Sequence, residues 1–188
     1  MSSRNVIYDI LASPRTVFNM QSLMMLSDNY DTASLSQSLY YYQKKGLIRR
    51  VRRGVYAKAG YDEKELACSF FSLSYISLQY VLLKAGVIFQ FSDEVTCIST
   101  LNRSVVIDGR TYSYRRIKPE IWADMAGIVQ RDGYMVATPE RALLDMMYLF
   151  PGIEYFDNTD ILDRDLLLKL SLSYDNKVLA DKIRRLYG

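Results

Sequence analysis

The stretch Lys44-Lys45-Gly46-Leu47-Ile48-Arg49-Arg50-Val51-Arg52-Arg53-Gly54-Val55-Tyr56 constrains this chain more than any other. A glycine after two lysines ends a helix: glycine enters the left-handed region without steric cost, and lysines suit the carbonyl end of the helix dipole. Leu47-Ile48 then begins a strand, Arg52-Arg53-Gly54 makes a tight turn, and Val55-Tyr56 returns as a second strand. Six of the chain's 24 Lys and Arg residues fall between positions 44 and 53. Such a segment is either a basic hairpin solvated on an ordinary surface or an element that meets a polyanion.

Charge partition favours the second reading. Residues 1–60 hold nine Lys and Arg against three Asp and Glu, a balance of +6; residues 61–188 hold 15 against 18, a balance of −3. Only the first segment is suited to a polyanion. Upstream of the hairpin, Val6, Ile7, Ile10 and Leu11 recur at helical spacing over about residues 3–12, and Ser13-Pro14 ends that helix. Asn19 is placed to cap a short helix that turns Leu23, Met24 and Leu26 inward. Residues 28–31 form a turn, and Thr32 caps a third helix running to about Lys45. Three helices and a basic hairpin are the order of a winged helix-turn-helix, expected over residues 1–60.

The third helix would then be the recognition helix. Leu35, Leu39 and Tyr42 share one side of a 100° wheel and fix the buried face. Ser34, Gln37, Tyr40, Tyr41 and Lys44 take the opposite side. Gln37 suits an adenine edge and Ser34 suits several bases. Tyr40 and Tyr41 either touch phosphates and thymine methyl groups or pack against the hairpin. Lys44, Lys45, Arg49, Arg50, Arg52 and Arg53 suit the phosphate backbone, which supplies affinity and register but little sequence choice.

Residues 61–188 read as a mixed α+β domain after a short hinge at Gly60-Tyr61-Asp62. Helices are expected over Glu65–Phe71, with Leu66, Phe70 and Phe71 inward, and over Ile76–Ala85, stopped by Gly86. Residues 95–99 alternate as a strand. Asp108-Gly109 and Asp132-Gly133 mark antiparallel hairpins. Thr138-Pro139-Glu140 opens a helix with Leu143, Leu144, Met147 and Tyr148 inward. C-terminal helices follow near 163–172 and 175–187. The segment Tyr112-Ser113-Tyr114-Arg115-Arg116-Ile117-Lys118 is a second basic and aromatic patch, with Arg115, Arg116 and Lys118 as its cations. It is either a solvated sheet face or a surface for nucleic acid, single-stranded RNA included.

Other classes fall away. The chain has no histidine, which removes His-based triads, His-ligated zinc and the usual general base. Asp124, Glu140 and Asp145 are the carboxylates that a metal-dependent nuclease would need, but no motif brings them together with a lysine. No catalytic residue, metal or cofactor is expected. Cys68 and Cys97 lack metal or redox spacing and read as small buried residues of a reducing compartment. No apolar run reaches the ~20 residues of a membrane-spanning helix. The N-terminus does not have the layout of a signal peptide, so a cytoplasmic location is expected.

The residues also carry a resemblance. Residues 44–57, Tyr75-Ile76-Ser77-Leu78, residues 114–118 and Ala137-Thr138-Pro139-Glu140-Arg141-Ala142-Leu143-Leu144-Asp145 together resemble the AbiEi family of antitoxins from abortive-infection toxin–antitoxin pairs. The likeness covers about residues 14–150. It departs at Ala85, where a histidine often precedes the glycine, and at Arg141, where lysine is usual. The resemblance implies a DNA-binding autorepressor encoded beside a nucleotidyltransferase toxin. Family members bind promoter repeats through the N-terminal domain, while the C-terminal domain counteracts the toxin, in some cases without a stable complex. A solitary regulator, an RNA-binding regulator and a nucleic-acid-processing enzyme are the alternatives.

Overall fold

Val6, Ile7 and Ile10 bury one face of the first helix, α1 (Val6–Ala12). The computed structural model describes residues 6–26, 31–71, 73–153 and 155–186. The expected start of α1 at residue 3 and the turn over 28–30 lie outside the described residues. The fold is α+β, and the chain divides into units Met1–Ser72 and Leu73–Gly188.

In the first unit a short strand, β1 (Val17–Asn19), precedes α2 (Met20–Leu26), α3 (Thr32–Lys44), β2 (Arg49–Arg52), β3 (Val55–Ala57) and α4 (Glu63–Phe70). The strands form an antiparallel sheet in the order β1-β3-β2. Sequence periodicity did not reveal β1, since three residues carry too little pattern. Asn19 caps α2 as expected, its Oδ1 accepting from the Ser22 amide at 2.8 Å. Only Leu23 of that helix is buried; Met24 and Leu26 are exposed, contrary to expectation. The core joins Val6, Ile7, Ile10, Phe18, Leu23, Leu35, Leu39, Ile48 and Tyr56, with Tyr42 packed against its edge.

Helix α4 belongs to this first unit, so the boundary lies twelve residues beyond the expected hinge at position 60. The reason is Glu65. Its buried carboxylate accepts the backbone amides of Thr16 at 2.7 Å and Val17 at 2.9 Å, tying α4 to β1. Charge-assisted bonds of this kind are stronger than neutral ones.

The second unit runs β4 (Ser74–Ile76), α5 (Gln79–Ala85), β5 (Val95–Ser99), β6 (Arg103–Ile107), β7 (Arg110–Arg116), α6 (Pro119–Ala123), β8 (Ile128–Arg131), β9 (Tyr134–Ala137), α7 (Pro139–Leu149), α8 (Arg164–Ser171), a 3₁₀ turn at Leu172–Tyr174 and α9 (Lys177–Leu186). Its sheet has the order β6-β7-β5-β4-β9-β8. Hairpins β6–β7 and β8–β9 are antiparallel as expected. Asp108 and Gly109 both have positive φ, 52° and 77°, as a two-residue type I′ turn requires. Pairs β5–β7 and β4–β9 are parallel, so the sheet is mixed rather than built of hairpins alone.

Residues 76–85 are not one helix. Tyr75 and Ile76 lie in β4, and the chain turns sharply at Leu78 (φ 60°, ψ −141°) before α5. Thr96 makes that turn possible: its hydroxyl donates to the Ser77 carbonyl at 2.6 Å and accepts the Tyr80 amide at 3.0 Å. Among the described residues no helix is long and apolar enough to cross a membrane.

Candidate nucleic-acid interface

Helix α3 is fixed at both ends by local chemistry. Asp31, not Thr32, is its N-cap: one carboxylate oxygen accepts the Ser34 amide at 2.8 Å, and the other accepts the Ser34 hydroxyl at 3.1 Å. These bonds hold the Asp31 carboxyl below its ordinary value, the Ser34 amide contributing most. A carboxylate exceeds a threonine hydroxyl here because it also meets the positive end of the helix dipole. At the other end Gly46 has φ +72°, its amide donates to the Gln43 carbonyl at 3.0 Å, and the Leu47 amide donates to the Tyr42 carbonyl at 3.1 Å. These two bonds form a Schellman motif, which redirects the chain into β2.

Anchored by Leu35 and Leu39, α3 leaves Ser34, Gln37, Tyr40, Tyr41 and Lys44 exposed, as the wheel requires. The tyrosines do not pack flat under the hairpin: Tyr40 is 59% and Tyr41 51% exposed. Each carries a lysine one turn on, with the Lys44 ammonium 4.9 Å from the Tyr40 ring centre and that of Lys45 4.6 Å from the Tyr41 ring centre. Tyr41 raises the Lys45 pKa, chiefly through hydrogen bonding. Tyr41 also meets the half-buried Tyr42 edge to face, with centroids 5.2 Å apart. The exposed side of α3 is therefore an ordered strip of hydroxyls, one amide and two ammonium groups.

The strip runs into the hairpin. Arg49, Arg50, Arg52 and Arg53 are all exposed. A bulge between Arg50 and Arg52 breaks the register, and Gly54 (φ +76°) closes the turn. The Arg52 guanidinium lies 5.6 Å from the centre of the Phe70 ring on α4, which partly commits it within the first unit. Arg50 and Arg53 project without a partner among the described residues.

In the second unit Arg115, Arg116 and Lys118 are exposed at the end of β7, and Asn102 Oδ1 accepts the Arg116 amide at 2.8 Å. Tyr112 and Tyr114 are buried. The expected basic-aromatic patch thus keeps its cations and loses its stacking rings, which weighs against single-strand RNA recognition there.

The candidate carboxylates do other work. Glu140 accepts the Asp163 amide at 3.2 Å. Asp145 is fully buried and faces Arg141, also fully buried, at 3.4 Å. Ser77, Tyr174 and Tyr75 donate hydroxyls to Asp145 at 2.7, 2.6 and 3.1 Å. The Arg141 guanidinium donates to the carbonyls of Ile121, Asp124 and Ala126 at 2.7, 3.1 and 3.0 Å. Burial pushes the Asp145 carboxyl up, against the pull of Arg141 and the hydroxyls. Burial works against the Arg141 charge too, but Tyr174, Asp145 and Tyr75 outweigh it and hold the guanidinium protonated. Both tyrosines are pushed up, first by burial and then by Asp145, so they remain donors. Asp124 is held low, chiefly by Ser173.

The sequence pairs Asp145 with a nearby arginine without singling one out, and marks Arg141 itself only as standing where lysine is usual; the partner is Arg141. Its signal was the i, i+4 spacing to Asp145 within Ala142-Leu143-Leu144-Asp145-Met146-Met147, a run with no polar face to solvate either charge. Among the described residues no group of three or more Cys, Asp or Glu converges to hold a metal ion.

No protein-family model and no curated protein matches the chain. A solved structure does. The RV2827C protein from Mycobacterium tuberculosis is similar at a TM-score of 0.52 and 12% identity, over 98% of this chain and 75% of that one. Likeness at that identity concerns the fold alone.

Proposed function

We propose that this chain is a transcriptional regulator that binds double-stranded DNA through its first unit. In this reading it is an autorepressor and antitoxin, encoded beside a nucleotidyltransferase toxin and acting in the cytoplasm. The element order α1-β1-α2-α3-β2-β3 is the one a winged helix-turn-helix uses. The observation that carries the reading is the exposed strip Ser34-Gln37-Tyr40-Tyr41-Lys44, opposite buried Leu35 and Leu39, continuous with four exposed arginines. Helix α3 lies in the major groove, where Gln37 and Ser34 meet base edges. The hairpin arginines and Lys44 and Lys45 hold phosphates. The antitoxin role rests on the AbiEi resemblance and falls to the second unit, with Arg115, Arg116 and Lys118 as its surface cations.

The test is fluorescence anisotropy with the duplex upstream of the chain's own gene. Gln37→Ala and Ser34→Ala change the preferred sequence while leaving affinity for unrelated duplexes intact. A uniform loss across all duplexes would remove α3 as the recognition helix. For the antitoxin role, Arg115→Ala/Arg116→Ala/Lys118→Ala keeps promoter binding and fails to restore growth to cells expressing the neighbouring toxin gene. Growth restored in full would release those three residues from the role.

A further inference from the structure

A second candidate site lies in the second unit, against the last helix. Helix α9 packs inward through Leu179 and Ile183, both buried. At helical spacing, Lys182 and Leu186 share that inner stripe, three and seven residues on from Leu179. A lysine on the inner stripe of a packed helix either runs its ammonium out to water or lines an opening. Here it lines an opening of about 300 Å³, bounded by Met147 of α7, Ile153 and Phe156 of the following loop, and Lys182, Arg185 and Leu186 of α9. That volume is at the lower end of small-molecule pockets, ~300–1,000 Å³.

The lining has two chemistries. Met147, Ile153, Phe156 and Leu186 supply an apolar floor, and Phe156 and Met147 are themselves buried. Lys182 and Arg185, on adjacent turns of α9, supply two cations at one edge. The Lys182 ammonium donates to the Pro151 carbonyl, which anchors it at the rim and leaves further N–H groups unused. The acid on this helix does not neutralise the pair, since Asp181 bonds Arg184 at 3.0 Å. Among the described residues no carboxylate meets Lys182 or Arg185.

We infer that this pocket binds a small alkyl carboxylate, its apolar body on Met147, Ile153, Phe156 and Leu186 and its carboxylate on Arg185 and Lys182. An apolar floor disfavours fully hydrophilic anions such as free phosphate. The guanidinium of Arg185 presents paired N–H groups that match the two carboxylate oxygens. The inference does not depend on DNA binding and stands or falls apart from it.

Isothermal titration of the full chain with butanoate, hexanoate and octanoate, and with octanol and octylamine, tests the site. Affinity rises by about four-fold per added methylene while the chain still finds apolar wall. Octanoate binds at least ten-fold more tightly than octanol, and octylamine does not bind. Arg185→Glu, an exposed substitution that leaves the unfolding temperature unchanged, weakens octanoate ten-fold or more, and Lys182→Met weakens it by less. Equal binding of octanoate and octanol, no binding of octanoate, or unchanged binding to Arg185→Glu would each overturn the assignment.

Discussion

Replacing Arg50 and Arg53 together is the sharpest probe of the hairpin. Each phosphate contact that releases a counterion adds ~0.9 to the slope of log affinity against log salt. Four arginines fully engaged would give about 3.6, or roughly 100-fold lost between 50 and 200 mM salt. That total is an upper bound, because Arg52 is already drawn over the Phe70 ring at 5.6 Å, whereas Arg50 and Arg53 project without a described partner and each count at the full ~0.9. Arg50→Ala/Arg53→Ala therefore removes about 1.8 from the slope, and the same salt step then costs the variant roughly 12-fold less than the parent. The stability of the first unit should hardly change, since exposed substitutions away from packing stay within about 0.5 kcal/mol. Anisotropy titrations of a promoter duplex and an unrelated duplex at four salt concentrations read the slope directly. Parallel salt slopes for parent and variant would refute the argument, whatever the affinities. So would a change in sequence preference, which phosphate contacts do not carry.

Other outcomes follow from the buried cluster and the helix cap. Asp145→Ala leaves the Arg141 charge uncompensated and costs about 3–5 kcal/mol, read as a lower denaturant midpoint; a loss under about 1 kcal/mol would show that the pair is not a closed unit. Arg141→Met/Asp145→Leu, an exchange often neutral elsewhere, remains destabilising here because three hydroxyls and three carbonyls lose partners at about 1–3 kcal/mol apiece; a variant as stable as the parent would contradict that. Asp31 has a folded-state pKa below 3.8, so its cap contribution is present above the unfolded value and is lost as pH falls through the lower folded one. The Ser34 amide resonance should report this midpoint, and a midpoint at or above 3.8 would remove Asp31 as the cap.

What was legible in the chain was what acts over a few residues. Gly46 stopped α3, Asp108-Gly109 turned a hairpin, and Thr138-Pro139 opened α7, because each choice is settled by backbone sterics and one or two local hydrogen bonds. The exposed side of α3 was legible for the same reason, since two buried leucines fix the rotation of a helix. Features settled by distant partners were not. Ile76 read as the start of a helix, because nothing nearby announces that it pairs with Cys97 on one side and Val136 on the other. Helix α4 read as part of the second unit, because the hydrogen bonds that hold it reach back to Thr16 and Val17.

Arg141 shows why function is harder to read than fold. In a sequence, an arginine and an aspartate four residues apart serve equally as a solvated helix pair, a catalytic pair or an internal strut. The choice depends on what lies above them, and here that is Tyr75, Ser77 and Tyr174, contributed by β4, the turn after it and the 3₁₀ turn near the C-terminus. With every oxygen of Asp145 already accepting and the Arg141 guanidinium spread over three carbonyls, neither group has capacity left for a substrate. Gly127 closes the argument on the remaining side. It has φ +74°, and a Cβ there would lie 2.9 Å from both Arg141 Cβ and Leu170 Cδ1. The backbone at Gly127 is pressed against the arginine's own stem and Leu170. The cluster therefore acts as a clamp, joining α7 to β4 and to the C-terminal helices. Among the described residues, polar groups with capacity to spare include those at the surface in the α3 strip, the hairpin arginines, the β7 cations and the rim of the α9 pocket.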